Sequence, residues 1–439
     1  MKIPPVKGTR DFYPPEMAVR NWITDGWRQA SLRSGFEEYD GPIFEHLQMY
    51  QIKSGDEIVE QLFSLQDRGG RDLAIRPEIT PTLARMVNQR INTLARPIKW
   101  FSMPRLCRAE RPQKGRLREF FQWNLDIIGE PSPLADAEVI FATVDYLRSV
   151  GLTANDVKVR LSSRRLLASV LGRIGIPPDQ LQPLYALLDK KPKLPGEVFA
   201  EMLAQQVPDV GVARKINAFM DLREVGGIAA LAGADAELEQ AQAELAQVLG
   251  YLTTMGVAEF CLFDPGIVRG LAYYTGVVFE VHDAVGDLRA ICGGGRYDNL
   301  LADFGGPQLT ATGMGMGDCV LEILLREKGL FKDGQFGKAL DYFVACVPRF
   351  ATEAGRCPQE EAVRLTAEIR RHGLRAEFSY KAGGLGKKLK EAADSGAARC
   401  IIIGDELPTQ QKLAVKDLAT GQQELVDYEA FLAGISCKK

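Results

Sequence analysis

Arg105–Gln122, RLCRAERPQKGRLREFFQ, is the most informative run in this 439-residue chain. Between Arg105 and Arg118, six cations (Arg105, Arg108, Arg111, Lys114, Arg116 and Arg118) stand against one anion, Glu110. Strand alternation puts Arg108 and Glu110 on one face, Pro112 and Gly115 make a loop, and a second strand returns through Phe121 and Gln122. Such a hairpin offers guanidinium groups from its strands to a polyphosphate and cations from its tip to nucleic acid. The bland alternative is a solvated charge run, and the apolar, strand-like flanks argue against it.

Upstream, Val19, Ile23, Trp27 and Ala30 recur at helical spacing between Pro14-Pro15 and Gly35, which predicts an amphipathic helix over 15–34. A strand is expected around Phe36–Glu45, and a hairpin from Leu62–Leu65 and Leu73–Arg76 around Arg68-Gly69-Gly70-Arg71. Further strands are expected at Ile98–Met103, Glu119–Ile128, Val157–Leu161, Val277–His282 and Ala290–Cys292. Leu/Ala/Gln/Glu-rich text over 164–252 reads as a helical insertion, and the polar, Gly-containing run 326–340 as a linker. Beyond it, Tyr342–Val347, a helix with Ala362, Leu365 and Ile369, and Cys400–Ile403 alternate as in a small α/β domain.

The totals fit two or three domains, with 46% hydrophobic and 25% charged residues. No run supplies the ~18 uninterrupted apolar residues of a membrane span. The opening MKIPPVKGTRDFYPPE has no apolar core of a signal peptide, so a cytoplasmic location is expected. None of the eight cysteines forms a C-x-x-C or Cys/His cluster, so neither zinc nor disulfides are expected. A net charge of -3 speaks against a DNA-coating protein but leaves room for local basic patches.

The run from Arg108 through Gln122 resembles motif 2 of histidyl-tRNA synthetases, R-x-E-R-P-Q-K-G-R-x-R-x-F-x-Q, throughout. The resemblance implies a class II synthetase: an α+β catalytic core on an antiparallel sheet flanked by helices over 1–325, insertion included, and an anticodon-binding-like α/β domain over 341–439. It implies that Arg108 holds the α-phosphate of ATP, that Glu110 positions the adenine end, that Arg116 assists at the phosphates, and that Gln122 contacts histidine. Arg111, Lys114 and Arg118 would approach the tRNA acceptor end. Arg76-Pro77-Glu78-Ile79-Thr80 is similar to the family's R-P-E-x-T, in which Glu78 and Thr80 would grip the α-amino group. Pro42 resembles the motif 1 proline of a dimer interface, which implies a homodimer.

Ile267–Gly276 resembles the histidine-specific R-G-L-D-Y-Y motif. Arg269 would lie between the amino-acid carboxylate and the α-phosphate, where a fixed charge stabilises the transition state. Tyr273 and Tyr274 would line the histidine pocket, Tyr274 at the imidazole, with Asp126 as acidic partner where many bacterial relatives have Glu. Gly293-Gly294-Gly295-Arg296-Tyr297-Asp298 and Gly313–Gly317 complete the pattern, Gly315 and Gly317 letting adenosine lie against backbone. Gly313–Gly317 lacks G-x-G-x-x-G spacing, which speaks against a dinucleotide turn. Two positions depart from the family. Val320 stands where G-x-E-R-L supplies an arginine to the γ-phosphate, a contact worth roughly 1.5–3 kcal/mol, and Ala272 replaces the usual Asp.

His372–Ala376, Gly383–Lys388, Ile401–Gly404 and Val415–Leu418 resemble the family's anticodon-binding domain. Lys387, Lys388 and Lys390 at a helix start would touch tRNA phosphates or form a solvated face. His46, His282 and His372 carry no assigned role, and Cys107 reads as core packing. The implied function is ATP- and Mg2+-dependent activation of L-histidine and its transfer to the 3′ end of tRNA(His). The alternatives are a non-catalytic regulatory subunit or histidine sensor, which Val320 favours, and a tRNA-binding scaffold.

Overall fold

A computed structural model describes residues 3–52, 62–191, 194–233, 235–269, 273–286, 288–332, 335–336, 339–347, 357–381 and 383–436. The chain divides into two compact units, Met1–Tyr13 with Val19–Lys332 and Pro14–Ala18 with Asp333–Lys439. Pro14 and Pro15 suit the first turn of the helix Pro14–Arg33, where a missing N–H is no loss. Gly35 at φ +73° reverses the chain after it. The helix buries Val19, Ile23, Trp27 and Ala30, and Trp27 stacks on Trp123 with ring centroids 6.3 Å apart.

The strands of the larger unit are β1 (Glu37–Glu38), β2 (Phe44–His46), β3 (Phe63–Gln66), β4 (Asp72–Ile75), β5 (Ile98–Ser102), β6 (Arg105–Cys107), β7 (Glu119–Ile128), β8 (Val157–Ser163), β9 (Cys261–Phe263), β10 (Val277–Asp283), β11 (Cys292–Arg296) and β12 (Ala311–Gly317). A nine-stranded sheet runs β1-β5-β7-β12-β11-β10-β8-β9, with β6 beside β7. It is antiparallel except at its ends, where β1 joins β5 and β9 joins β8 in parallel. A second sheet has the order β2-β4-β3. The single strand expected over Phe36–Glu45 is thus two short ones in different sheets, because the Gly41-Pro42 turn cannot keep a continuous ladder.

Directly paired residues share a face, which gives the large sheet two unlike sides. On one side Trp123, Leu125, Met314, Met316, Cys292, Phe279 and Val281 are buried, and the helix Pro133–Ser149 packs on the sheet. On the other side Gln122, Asn124 and Asp126 oppose Gly317, Gly315 and Gly313, and Gly315 and Gly313 oppose Gly293 and Gly295. Those two glycines oppose Glu280 and Val278 in turn. Two strands, β11 and β12, therefore offer bare backbone between side chains of β7 and β10.

The segment 164–252 is helical, with helices Arg164–Arg173, Leu181–Leu188, Gly196–Gln206, Val210–Met220, Ile228–Ala232 and Ala236–Thr254. Asp209 and Asp235 cap two of them by accepting backbone N–H bonds. The smaller unit holds β13 (Leu340–Cys346), β14 (Ala376–Phe378), β15 (Ala397–Ile403), β16 (Lys412–Asp417) and β17 (Gln423–Asp427) in the order β14-β13-β15-β16-β17. Lys388 departs from its expected exposed role. It is 4% exposed, and its Nζ donates to the Cys346 carbonyl at 3.1 Å, because the helix Leu385–Asp394 turns this position onto β13.

Candidate active site

The bare face exists because side chains from elsewhere occupy it. A Cβ on Gly293 would come 2.7 Å from Cζ of Arg269, and one on Gly315 would come 2.9 Å from the Gln122 amide carbon. Asp126 lies over Gly313 in the same way, 2.9 Å from its carboxyl carbon. The resemblance gave the Gly313–Gly317 segment to close approach of adenosine, and the structure seats a guanidinium, an amide and a carboxylate over Gly293, Gly315 and Gly313.

Arg269 holds φ +58°, a left-handed conformation uncommon for a side chain with a Cβ. Strain of that kind persists where surrounding contacts over-determine it. Its Nη1 donates to Glu280 Oε1 at 2.6 Å, and the guanidinium lies 5.6 Å from the Tyr274 ring centroid. Burial pulls the Arg269 pKa down, but Tyr274 and Glu280 outweigh it and hold it above its ordinary value. Burial likewise opposes charge on Glu280, yet the His282 hydrogen bond at 2.9 Å and Arg269 bring it down to about 2. The result is a fixed cation whose carboxylate partner stays ionised through all ordinary pH.

Asp126 is 3% exposed and accepts a short hydrogen bond from the Tyr297 hydroxyl. Tyr273 packs on Tyr274 at 4.6 Å and meets Tyr297 edge-on at 5.8 Å. Burial and the neighbouring Tyr274 and Glu78 push the Tyr273 phenol well above its ordinary pKa, so it stays a neutral hydrogen-bonding group. Glu78 is buried just before Thr80, which opens the helix Thr80–Arg90. Glu78 and Tyr273 both act electrostatically on Arg108, so the R-P-E-x-T segment, the tyrosine pair and the arginine of the hairpin share one neighbourhood.

Arg108 follows directly after β6, and its backbone N–H still donates to Arg118 O at 2.8 Å. The expected hairpin therefore continues past the strand and closes at the Gln113–Arg116 bridge. Arg108 Nε donates to the Pro77 carbonyl at 3.1 Å, while burial first, and then Arg269 and Arg289, lower its pKa. Arg116 pairs with Glu110, and Arg118 donates to the Glu110 carbonyl at 3.0 Å. Arg111 and Lys114 are exposed, and Lys114 lies 3.2 Å from Glu327. A Cβ on Gly115 would sit 2.9 Å from Val320 Cγ2, so this loop rests on the residue that departs from the family pattern. Gly317 ends β12 directly before the helix Asp318–Glu327, with open space about its Cα.

Four partners escaped the sequence reading. Glu280 and His282 fix Arg269, Tyr297 fixes Asp126, and Asp318 accepts from Arg10 at 2.5 Å and from the Phe121 N–H at 3.0 Å. Tyr297 lies inside a glycine-rich run already singled out, and the Glu280-x-His282 alternation is the one local signal for that pair. Gly270 and Ala272 lie outside the described residues. Among the described residues no three His, Cys, Asp or Glu side chains are grouped as metal ligands.

The family profile described as histidyl-tRNA synthetase matches residues 8–317, and one described as an anticodon binding domain matches 347–438. A histidine–tRNA ligase of Opitutus terrae is 39% identical over 94% of this chain and 93% of its own length. The chloroplastic/mitochondrial histidine–tRNA ligase of Arabidopsis thaliana is 36% identical over 95% and 84%. A crystal structure of histidyl-tRNA synthetase from Nostoc covers both chains completely with a TM-score of 0.82 at 22% identity, a likeness of fold. With a matching profile over most of the chain and relatives this similar along nearly their whole length, the chain belongs to the histidyl-tRNA synthetase family.

Proposed function

We propose that this chain activates L-histidine with ATP and esterifies it to the 3′ end of tRNA(His). The observation that carries this reading is the seating of Arg269 on glycine backbone, held by an ionised Glu280, beside the buried tyrosine and Asp126 cluster and within the field of Arg108. A histidine carboxylate oxygen attacks the α-phosphorus, the bond to the β-phosphate oxygen breaks, and pyrophosphate leaves. Arg108 and Arg269 supply fixed positive charge where negative charge grows. Glu78 and Thr80 receive the ammonium, while Gln122, Asp126, Tyr273 and Tyr274 receive the imidazole end. Glu110, Arg116, Gly315 and Gly317 hold the nucleotide. The tRNA hydroxyl then attacks the carbonyl carbon, AMP leaves, and the hydroxyl proton passes to a phosphate oxygen.

Magnesium would enter on the phosphates of ATP, since the chain's own described residues make no cage for it and this ion keeps phosphate and water ligands. In this reading 1–325 is the catalytic core with its 164–252 insertion, 326–340 is a linker and 341–439 binds the anticodon. Arg111, Lys114 and Arg118 approach the acceptor end, and the working form is a cytoplasmic homodimer. No described helix is long and apolar enough to cross a membrane.

Histidine-dependent exchange of pyrophosphate into ATP tests the proposal. The wild type exchanges, and Arg269→Ala loses on the order of 10²–10³-fold in kcat. A wild type without exchange would point to the regulatory subunit, and a variant that loses little would remove Arg269 from the reaction centre.

A further inference from the structure

The helix Asp318–Glu327 begins without a basic residue in its first turn, and its third position, Val320, is 8% exposed and packed under the Gly115 loop. A second route brings a cation to this end of the site. Ile291 N–H donates to Val281 O at 2.8 Å, and Gly317 N–H donates to Ile291 O at 3.3 Å, which holds the chain just before β11 beside the residue that precedes that helix. Arg289 lies two residues before Ile291 in that segment and so within reach of the helix start. The loop that delivers it is folded around buried Asp283, whose carboxylate accepts the N–H of Gly286 at 2.9 Å and of Leu288 at 3.0 Å.

We propose that Arg289 is the ligand of the outermost phosphate of ATP, in place of a cation from the helix at Val320. The proposal rests on the reading of this site as an ATP-dependent activating site. Arg289 is exposed and makes no ion pair or hydrogen bond with any described residue. Its charge is nevertheless felt by both Arg108 and Arg116, each of which it pulls down in pKa after the larger effect of burial. Three guanidinium groups gathered this closely, only one of them paired with a carboxylate among the described residues, repel one another until a multiply charged anion enters. Arg108 is in the field of Glu78 and Tyr273, and the segment of Arg289 adjoins Gly317, so Arg289 takes the far end of a triphosphate laid from Arg108 toward the helix start. Guanidinium suits a terminal phosphate because its fork bonds two oxygens at once.

The test compares wild type, Arg289→Ala and Arg289→Lys by calorimetric binding of ATP and AMP and by pyrophosphate exchange. Loss of one charge-assisted contact should weaken ATP binding and raise KM for ATP on the order of tenfold or more in Arg289→Ala. AMP affinity and KM for histidine stay unchanged, and Arg289→Lys recovers part of the loss. Equal ATP affinity in wild type and Arg289→Ala would overturn the proposal, and so would equal losses for ATP and AMP. A wild type that binds ATP without exchanging would count against the catalytic reading alone, because the preference for ATP over AMP still reports on Arg289.

Discussion

Replacing Gly293 by alanine probes the seating of Arg269 without touching a charged residue. The new methyl would stand 2.7 Å from the Arg269 guanidinium carbon. Carbon atoms in contact sit about 3.5 Å apart and Nη1 comes closer still, so the guanidinium must retreat by at least about 0.8 Å. The obstructed atom is the far end of a flexible side chain, and Gly293 does not hold a positive φ. The fold therefore accommodates the change at about 1–3 kcal/mol, as for other added methyls. A reacting group displaced by this much loses on the order of 10²-fold in rate, equivalent to about 3 kcal/mol of transition-state stabilisation. Histidine-dependent pyrophosphate exchange should show that loss in kcat, with thermal unfolding within a few degrees of wild type. Wild-type kcat in a folded Gly293→Ala protein would refute the argument that this backbone position locates the catalytic guanidinium.

Tyr297→Phe removes the hydroxyl that donates to Asp126. With the carboxylate 3% exposed, losing that donor should raise KM for histidine on the order of tenfold and leave KM for ATP alone, and an unmoved histidine KM would separate Asp126 from the pocket. Glu280 supplies a pH dependence: its pKa stands at about 2 in the fold against an ordinary 4.5, so its stabilisation is complete above 4.5 and vanishes as pH falls toward 2. In urea unfolding across pH 7 to 3, the gap between wild type and Glu280→Gln should narrow below about pH 4.5, and a constant gap would contradict the ionised pair.

Much of this architecture was legible in the linear text because its causes are local. Proline at a helix start, glycine after its end, alternation along β7 and the Leu/Ala-rich insertion depend on residues a few positions apart. The hairpin that holds Arg108 was readable for the same reason, although β6 stops one residue short of it. The break at Gly41-Pro42 was harder, since whether an extended run remains one strand depends on which sheet receives each end.

Apart from the Glu280-x-His282 pair, partner choice was not written in the local pattern. Tyr297 and Asp126 are 171 residues apart, and only the ladder register β7-β12-β11 brings phenol to carboxylate. The same register turns Gly293 toward Arg269, and the Gly317–Ile291 hydrogen bond brings the segment of Arg289 to the start of the helix at Asp318. Lys388 makes the complementary case: a lysine among lysines reads as exposed, and its helix turns it inward. Composition and spacing thus identify which groups the chain owns and which elements carry them. Electrostatic pairing and close approach fall off within a few ångströms, so they belong to the packed sheet, where a shift of one residue in register would send Gln122, Asp126 and Glu280 to the opposite face.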